Sequence, residues 1–294
     1  MLWLPILVNK DNRVVVQGIT GRQGSFHTKL MVEYGTKVVA GVTPSRGGTQ
    51  TLGIPVYDTV YEAVEEQGAD VSIIFVPAPF AKEAVLETLD AGLRKIIVIT
   101  EHIPIKDSIE FITKARSKGA DIIGPNTPGV ITPGEIKVGI MPASVFKPGS
   151  VGLVSRSGTL TYEIAARISE SGLGESTCVG VGGDPVTGSN FIDMLRLFME
   201  DEGTSAAVLV GEIGGNAEEK AADFVKQARF KKPIVSYIAG RAAPPGKRMG
   251  HAGAIIMGNV GTAESKIQAL TSVGALIAEK PGDIPDLLLR AIRR

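Results

Sequence analysis

Of the three histidines in this 294-residue chain, His251 sits where chemistry is easiest to imagine, in the run Lys247-Arg248-Met249-Gly250-His251-Ala252-Gly253-Ala254-Ile255. Small neighbours leave an imidazole uncovered and let a ligand or a backbone N–H group approach it closely. A histidine in such a loop can be a general base, a metal ligand, or a nucleophile that carries a group covalently. It can also simply make one structural hydrogen bond. Metal binding is the weakest reading, because the chain has a single cysteine, Cys178, and the other histidines, His27 and His102, are distant in sequence.

The elements that would position His251 form an α/β series. Strands are predicted at Val151-Val154, Thr177-Val181, Ala206-Val210, Ile234-Ala239 and Ala275-Ala278. Two strand-to-helix turns of this series end beside the histidine loop. Ser155-Arg156-Ser157-Gly158 offers hydroxyl caps and free backbone donors at a helix start. In Gly211-Glu212-Ile213-Gly214-Gly215-Asn216, a carboxylate ends a strand and a helix opens after the glycine pair. Together they predict an anion pocket containing His251. The chemistry this permits is a phosphohistidine: a neutral ring nitrogen attacks a phosphoryl group, and fixed helix-terminal donors hold the resulting dianion. Glu212 would accept the proton of the far ring nitrogen and fix the tautomer.

The first half shows the same alternation. Strands are expected at Val14-Val16, Val38-Ala40, Val71-Val76, Lys95-Ile99 and Asp121-Ile123, with helices near 22–34, 79–92 and 105–118. This order implies βαβ units around a parallel sheet, whose ligands bind beyond the carboxyl ends of the strands. The first such loop, Gln17-Gly18-Ile19-Thr20-Gly21-Arg22-Gln23-Gly24, has G-x-x-G-x-x-G spacing rather than the dinucleotide pattern G-x-G-x-x-G. It suits a phosphate at a helix N-terminus without implying a nicotinamide cofactor. Where an NAD site would place an acidic residue, the loop Gly41-Thr49 is basic, and Arg46 would suit a further phosphate such as an adenosine 3′-phosphate. The proline-bearing loops after Val76 and Ile99 could shape a narrow cleft. His102 is expected to be a partly exposed loop residue, and His27 to be packing or surface on the first helix.

Formal net charge is zero, with acidic and basic residues interspersed, so neither nucleic acid nor a membrane is an expected partner. A lone cysteine excludes an intramolecular disulfide and fits a reducing compartment. The apolar start Leu2-Val8 is short, holds a proline, lacks a basic n-region and runs into Asn9-Lys10-Asp11-Asn12-Arg13, so it reads as a packed segment of a cytoplasmic protein. The proline- and glycine-dense stretch 124–149 marks a domain change, placed between 126 and 127.

The segments Gln17 to Gly24, Gly41 to Thr49, Val76 to Phe80, Gly124 to Thr132, Val154 to Glu163, Gly180 to Asp193, Gly211 to Glu219 and Gly246 to Ile255 closely resemble the alpha subunits of succinyl-CoA synthetase, also called succinate–CoA ligase. The resemblance is collinear over almost the whole chain. It implies a Rossmann-like CoA-binding domain over 1–126, then a flavodoxin-like ligase domain over 127–294. CoA contacts would fall on Thr20, Gly21, Arg22, Gln23, Arg46, Ile99, Thr100 and Glu101. Tyr162 would meet the substrate, His251 would be the phosphohistidine and Glu212 the carboxylate beside it. Ser155, Ser157, Gly158, Gly214 and Gly215 would belong to the phosphate-binding helix starts.

The resemblance further implies a reversible citric acid cycle reaction in which NTP phosphorylates the histidine, succinate takes the phosphate, and CoA displaces it. ATP or GTP with Mg2+ would be held by an ATP-grasp beta subunit, in an αβ or α2β2 complex, and this chain would carry no metal. Malate- or citrate-CoA ligases, and a CoA-binding regulatory protein without catalysis, are the alternatives. Three positions depart from the family: Thr127 stands where cysteine is frequent, Arg46 where some relatives have lysine, and His102 where many have glycine.

Overall fold

The computed structural model describes residues 7–243, 250–251, 253–256 and 261–293. Its first half runs β1 (Arg13–Gln17), α1 (Arg22–Glu33), β2 (Lys37–Val42), β3 (Gln50–Thr51), β4 (Ile54–Tyr57), α2 (Val60–Gln67), β5 (Val71–Ile74), α3 (Ala78–Asp90), β6 (Lys95–Val98), α4 (Ile105–Ser117) and β7 (Asp121–Ile123). These strands form one sheet in the order β3-β4-β2-β1-β5-β6-β7, parallel except for the short β3/β4 pair. With β3 set aside, this is the Rossmann order, and its direction reverses between β1 and β5.

The second half holds β8 (Gly129–Thr132), β9 (Ile136–Gly139), β10 (Pro148–Ser155), α5 (Gly158–Glu170), β11 (Glu175–Gly180), α6 (Phe191–Glu200), β12 (Ala206–Glu212), α7 (Ala217–Ala228), β13 (Ile234–Ala239), α8 (Ala263–Ser272), β14 (Leu276–Ile277) and α9 (Ile284–Ile292). Its sheet order is β14-β13-β12-β10-β11-β8-β9. The five strands β11-β10-β12-β13-β14 are parallel in the flavodoxin order, reversing between β10 and β12.

Two regions differ from the sequence reading. Between β2 and β5 the chain makes β3, β4 and α2, where the sequence reading placed only the glycine-rich loop Gly41–Thr49 and no further element. The stretch 124–149 is not merely a connection. It contains the β8/β9 hairpin, which extends the second sheet antiparallel to β11 and lies against α1 and the turn after it, where Thr36 Oγ1 donates to the Lys137 carbonyl at 2.8 Å. One apolar core therefore runs unbroken from β1 and β5 (Val16, Ile73) through the hairpin (Val130, Val138) to β12 (Leu209). The N-terminal segment packs as expected at Leu7 and Val8, which are buried; residues 1–6 lie outside the described part.

Candidate functional site

A strand order that reverses leaves a crevice, because the two flanking connections turn away to opposite faces of the sheet. Here the two crevices meet. One cavity of about 670 Å³ is lined by Gln23, Phe75, Val76, Pro77 and Ala78 from the β1/β5 reversal, and by Ser157, Gly158, Thr159 and Tyr162 from the β10 end. Ile99, Thr100, Glu101 and the linking residues Asn126, Thr127 and Pro128 close its sides, and His251 stands on its wall.

His251 is held from one side. Its Nδ1 lies 2.9 and 3.1 Å from the two carboxylate oxygens of Glu212, the last residue of β12. An ionised carboxylate only accepts, so Nδ1 carries the proton and the lone pair falls on Nε2. That is the tautomer a nucleophilic imidazole needs. The same hydrogen bond holds the pKa of His251 above its ordinary 6.5, against burial and the nearby Arg156 charge, with Asp184 a lesser contributor in the same direction as Glu212. The ring lies against Gly183, where a Cβ would fall 2.5 Å from the ring's Cγ. No side chain fits there beside the imidazole.

Behind Glu212 stands a buried ionic cluster. Arg156 reaches Glu212 at 3.3 Å and Glu218 at 3.4 Å. Glu218, with no exposed side-chain surface, also accepts the Glu212 backbone N–H at 3.1 Å. Lys266 of α8, equally sealed, pairs with Glu218 and, at 3.1 Å, with Glu219. Three carboxylates thus face two cations.

The helix starts divide between two spaces. At α5, Ser157 caps the helix through Leu160 N–H at 3.4 Å, and Ser155, itself buried, braces the turn by accepting Ser157 N–H at 3.0 Å. The first N–H groups of a helix have no acceptor within it, so those of Gly158 and Thr159 stand in the cavity wall near His251. The α7 start does not share that cavity. Gly215, Asn216 and Ala217 line a neighbouring space of about 430 Å³ together with Arg156 and Gly253. The Gly214 N–H is taken by the Gly261 carbonyl at 2.8 Å. The α5 start thus lines the cavity on whose wall His251 stands, and the α7 start lines the neighbouring space, which Gly182, Asp184 and Gly253 also border. Lys247, Arg248, Met249 and Ala252 of the histidine run lie outside the described residues.

Among the residues expected to meet CoA, Gln23, Ile99, Thr100 and Glu101 line the large cavity. Thr20, Gly21 and Arg22 do not line it; they lie exposed at the start of α1. Gly24 lets that helix sit tight on the loop, since a Cβ there would fall 2.1 Å from the Gly18 carbonyl oxygen. Arg46 is exposed on the adjoining loop, joined to the first by a Thr20–Thr43 hydroxyl contact of 3.1 Å. The Asp58 carboxylate shapes that loop by accepting the N–H groups of Arg46 and Gly47 at 2.9 and 2.8 Å. Tyr162 stands half-buried on the cavity wall, its hydroxyl pKa pushed up to about 12 by burial.

Two of the departures, His102 and Thr127, have structural answers. His102 has φ +63°, the left-handed path that favours glycine, so the backbone follows the route a glycine would take. Thr127 is buried, donates its hydroxyl to the Gly180 carbonyl and accepts the Gly129 N–H at 2.9 Å.

Residues missed by sequence reasoning include His27, Asn126, Gly183 and Lys266. His27 packs against Phe26 and Phe75, as expected of a packing residue, and it also lines the cavity one helical turn from Gln23, a four-residue spacing that was the available signal. Asn126 ties the sheets together, its N–H donating to the Thr100 carbonyl at 3.0 Å and its carbonyl accepting Gly183 N–H at 3.3 Å. Among the described residues, no group of three or more His, Cys, Asp or Glu gathers where a metal ion could sit, and no helix is long and apolar enough to cross a membrane.

Known proteins share this arrangement. A family model described as CoA binding domain matches residues 9–102, and one described as CoA-ligase matches residues 154–276. Fold and matches together define the class: a CoA-binding module joined to a CoA-ligase module. The succinate–CoA ligase [ADP-forming] subunit alpha 2 of Archaeoglobus fulgidus is 57% identical over 285 residues, 97% of this chain and 99% of that one. The corresponding alpha subunit of Aquifex aeolicus is 55% identical, over 99% of this chain and 95% of its own length. The chain belongs to the succinate–CoA ligase alpha-subunit family. Among solved structures, ATP citrate lyase from Methanothrix soehngenii, in complex with citrate and coenzyme A, superposes with a TM-score of 0.88 at 26% identity, covering all of this chain and 50% of that one.

Proposed function

We propose that this chain catalyses, together with an ATP-grasp beta subunit, the reversible conversion of NTP, succinate and CoA to NDP, phosphate and succinyl-CoA through phospho-His251. The observation that carries the reading is the contact of His251 Nδ1 with both oxygens of Glu212 on the wall of a cavity shared with Gln23, Thr100 and Glu101. The contact aims a nucleophilic Nε2, and the shared cavity lets one bound CoA reach the same space. In this reading residues 1–126 bind CoA, with Thr20, Gly21, Arg22 and Gln23 at the pyrophosphate and Arg46 at a further phosphate. Residues 127–294 carry the phosphoryl group, which the Gly158 and Thr159 N–H groups receive, while Tyr162 meets the carboxylic acid.

ATP or GTP with Mg2+ belongs to the beta subunit, in an αβ or α2β2 complex. The sequence supports that assignment by lacking a G-x-x-x-x-G-K-[ST] motif. A cytoplasmic location fits the single buried cysteine.

The test is to mix the chain with its beta subunit, γ-labelled ATP or GTP and Mg2+, and to locate phosphate by mass spectrometry under neutral-to-basic handling. Phosphate on His251 that succinate plus CoA discharges is the expected result. Discharge by malate or citrate but not succinate would reassign the substrate. No phosphate on His251, with CoA still bound, would leave a CoA-binding protein without this catalysis.

A further inference from the structure

His27 has no place in the scheme above, yet it stands on the wall of the same cavity as His251, Glu101 and Tyr162. Its ring lies parallel to that of Phe75, with centroids 5.8 Å apart and planes 5° apart, and takes the edge of Phe26 at 5.0 Å. Its orientation is therefore fixed by packing. Nδ1 is sealed from solvent with no hydrogen-bond partner, which leaves Nε2 as the nitrogen able to meet a ligand in the cavity. A sealed N–H without an acceptor is rarer and costlier than a sealed lone pair. Nδ1 accordingly holds the lone pair and Nε2 the hydrogen. Burial, and after it the charge of Lys137, holds the pKa of His27 below 6.5, so the imidazole is neutral at pH 7.

A neutral N–H on the wall of a reaction cavity can polarise a carbonyl without giving up its proton. We propose that His27 Nε2–H donates a hydrogen bond to the acyl carbonyl oxygen while CoA attacks the acyl phosphate. This rests on the phosphohistidine reading and adds to it a residue for the last step. In that step the thiol sulfur forms a bond to the carbonyl carbon, and the carbonyl π pair moves onto oxygen, where His27 meets it. Collapse of that pair then breaks the carbon–oxygen bond to phosphate, and the thiol proton leaves on the phosphate. His27 keeps its own proton throughout.

The experiment uses the chain with its beta subunit, ATP, Mg2+, succinate and CoA, and compares His27→Phe, His27→Asn and His27→Gln with the unmodified complex. Phenylalanine keeps the stack on Phe75 without a donor. The Asn amide reaches only the Nδ1 position, whereas the Gln amide reaches that of Nε2. Phosphorylation of His251 from ATP should proceed at the unmodified rate in all three. The kcat for succinyl-CoA formation should fall by about 10²-fold in the Phe and Asn variants with the CoA KM unchanged, as for loss of one oxyanion donor. Gln should recover to within about tenfold of the unmodified complex.

The Asn and Gln pair decides the matter even where the Phe variant does not fold. Unchanged kcat in Asn, equal losses in Asn and Gln, a loss confined to the CoA KM, or a loss of His251 phosphorylation each overturns the proposal. If the unmodified complex takes up no phosphate on His251, the phosphohistidine reading fails and this inference falls with it. If it cycles and the variants cycle equally, this inference alone fails.

Discussion

The exposed loops of the first sheet and the sealed cluster behind His251 solve different problems. Thr20, Gly21, Arg22 and Arg46 are exposed, and the turns that hold them are set by contacts to backbone N–H groups, from the Gly18 carbonyl to Gly21 at 3.0 Å and from the Asp58 carboxylate to Arg46 at 2.9 Å. Glu212, Glu218 and Lys266 are buried and linked to one another by charged contacts. A large anionic ligand is bound by many accessible donors, each contributing little. A covalent carrier needs one imidazole in one tautomer, and burying its supporting charges fixes it. The difference implies that single changes in the cluster act abruptly, and single changes in the loops act gradually.

The largest expected effect is that of His251→Ala. Phosphate uptake and turnover should vanish while the thermal midpoint stays near that of the unmodified chain; a collapsed fold would make the histidine structural. Next is Lys266→Met, which keeps the volume and leaves the buried Glu218 short of a cation. It should lower stability by about 3–5 kcal/mol, measured by denaturant unfolding, and a loss well under that would show the cluster to be no tighter than the loops.

Glu212→Gln separates orientation from charge. On the proposed mechanism attack needs neutral His251, whose pKa is raised chiefly by the Glu212 hydrogen bond. The rate of phosphorylation should therefore fall as pH drops through a midpoint above 6.5, and in Glu212→Gln that midpoint should move down while the plateau rate also falls. An unmoved midpoint would remove Glu212 as the cause.

A control sits in the same sheet. Glu175 is fully buried like Glu218, but lacks a cation: its Oε1 is unpartnered, and Oε2 accepts only Lys147 N–H and the Ser169 hydroxyl, both at 3.3 Å. Burial pushes its pKa up to about 7 from an ordinary 4.5. Raised in the folded state, this carboxyl contributes stability in full below pH 4.5, and that contribution is lost as pH rises to 7, by about 3 kcal/mol. Glu175→Gln should flatten that slope in unfolding measured from pH 4.5 to 8. An unchanged slope would mean the buried carboxylate is compensated after all.

What was readable in the sequence follows from how local each signal is. β7 (Asp121–Ile123) and β13 (Ile234–Ala239) were legible to the residue because short β-branched runs bounded by breakers report directly on strands. The pairing of His251 with Glu212 was legible because both sit at ends of one sheet edge. The β8/β9 hairpin was hidden by prolines and glycines that shape its turns, and α2 by a run rich in glutamate. His27, Lys266 and Gly183 matter only through contacts between elements far apart in the chain. Their types alone, a histidine on a helix or a glycine after a strand, carry no such information.

The smallest effect belongs to the loops. Arg46 is an exposed guanidinium on a loop whose shape comes from Asp58 and not from its own side chain, so Arg46→Ala should leave the loop intact. Removing one exposed cation from a ligand held by several donors should raise the CoA KM by about tenfold, equivalent to about 1.4 kcal/mol, and the difference should shrink as salt screens the charge. Phosphorylation of His251 should be untouched, because Arg46 does not line the cavity that holds the imidazole. A loss of phosphorylation in this variant would couple the two regions energetically through the Thr100–Asn126–Gly183 contacts, and the contrast between a gradual site and an abrupt one would no longer hold.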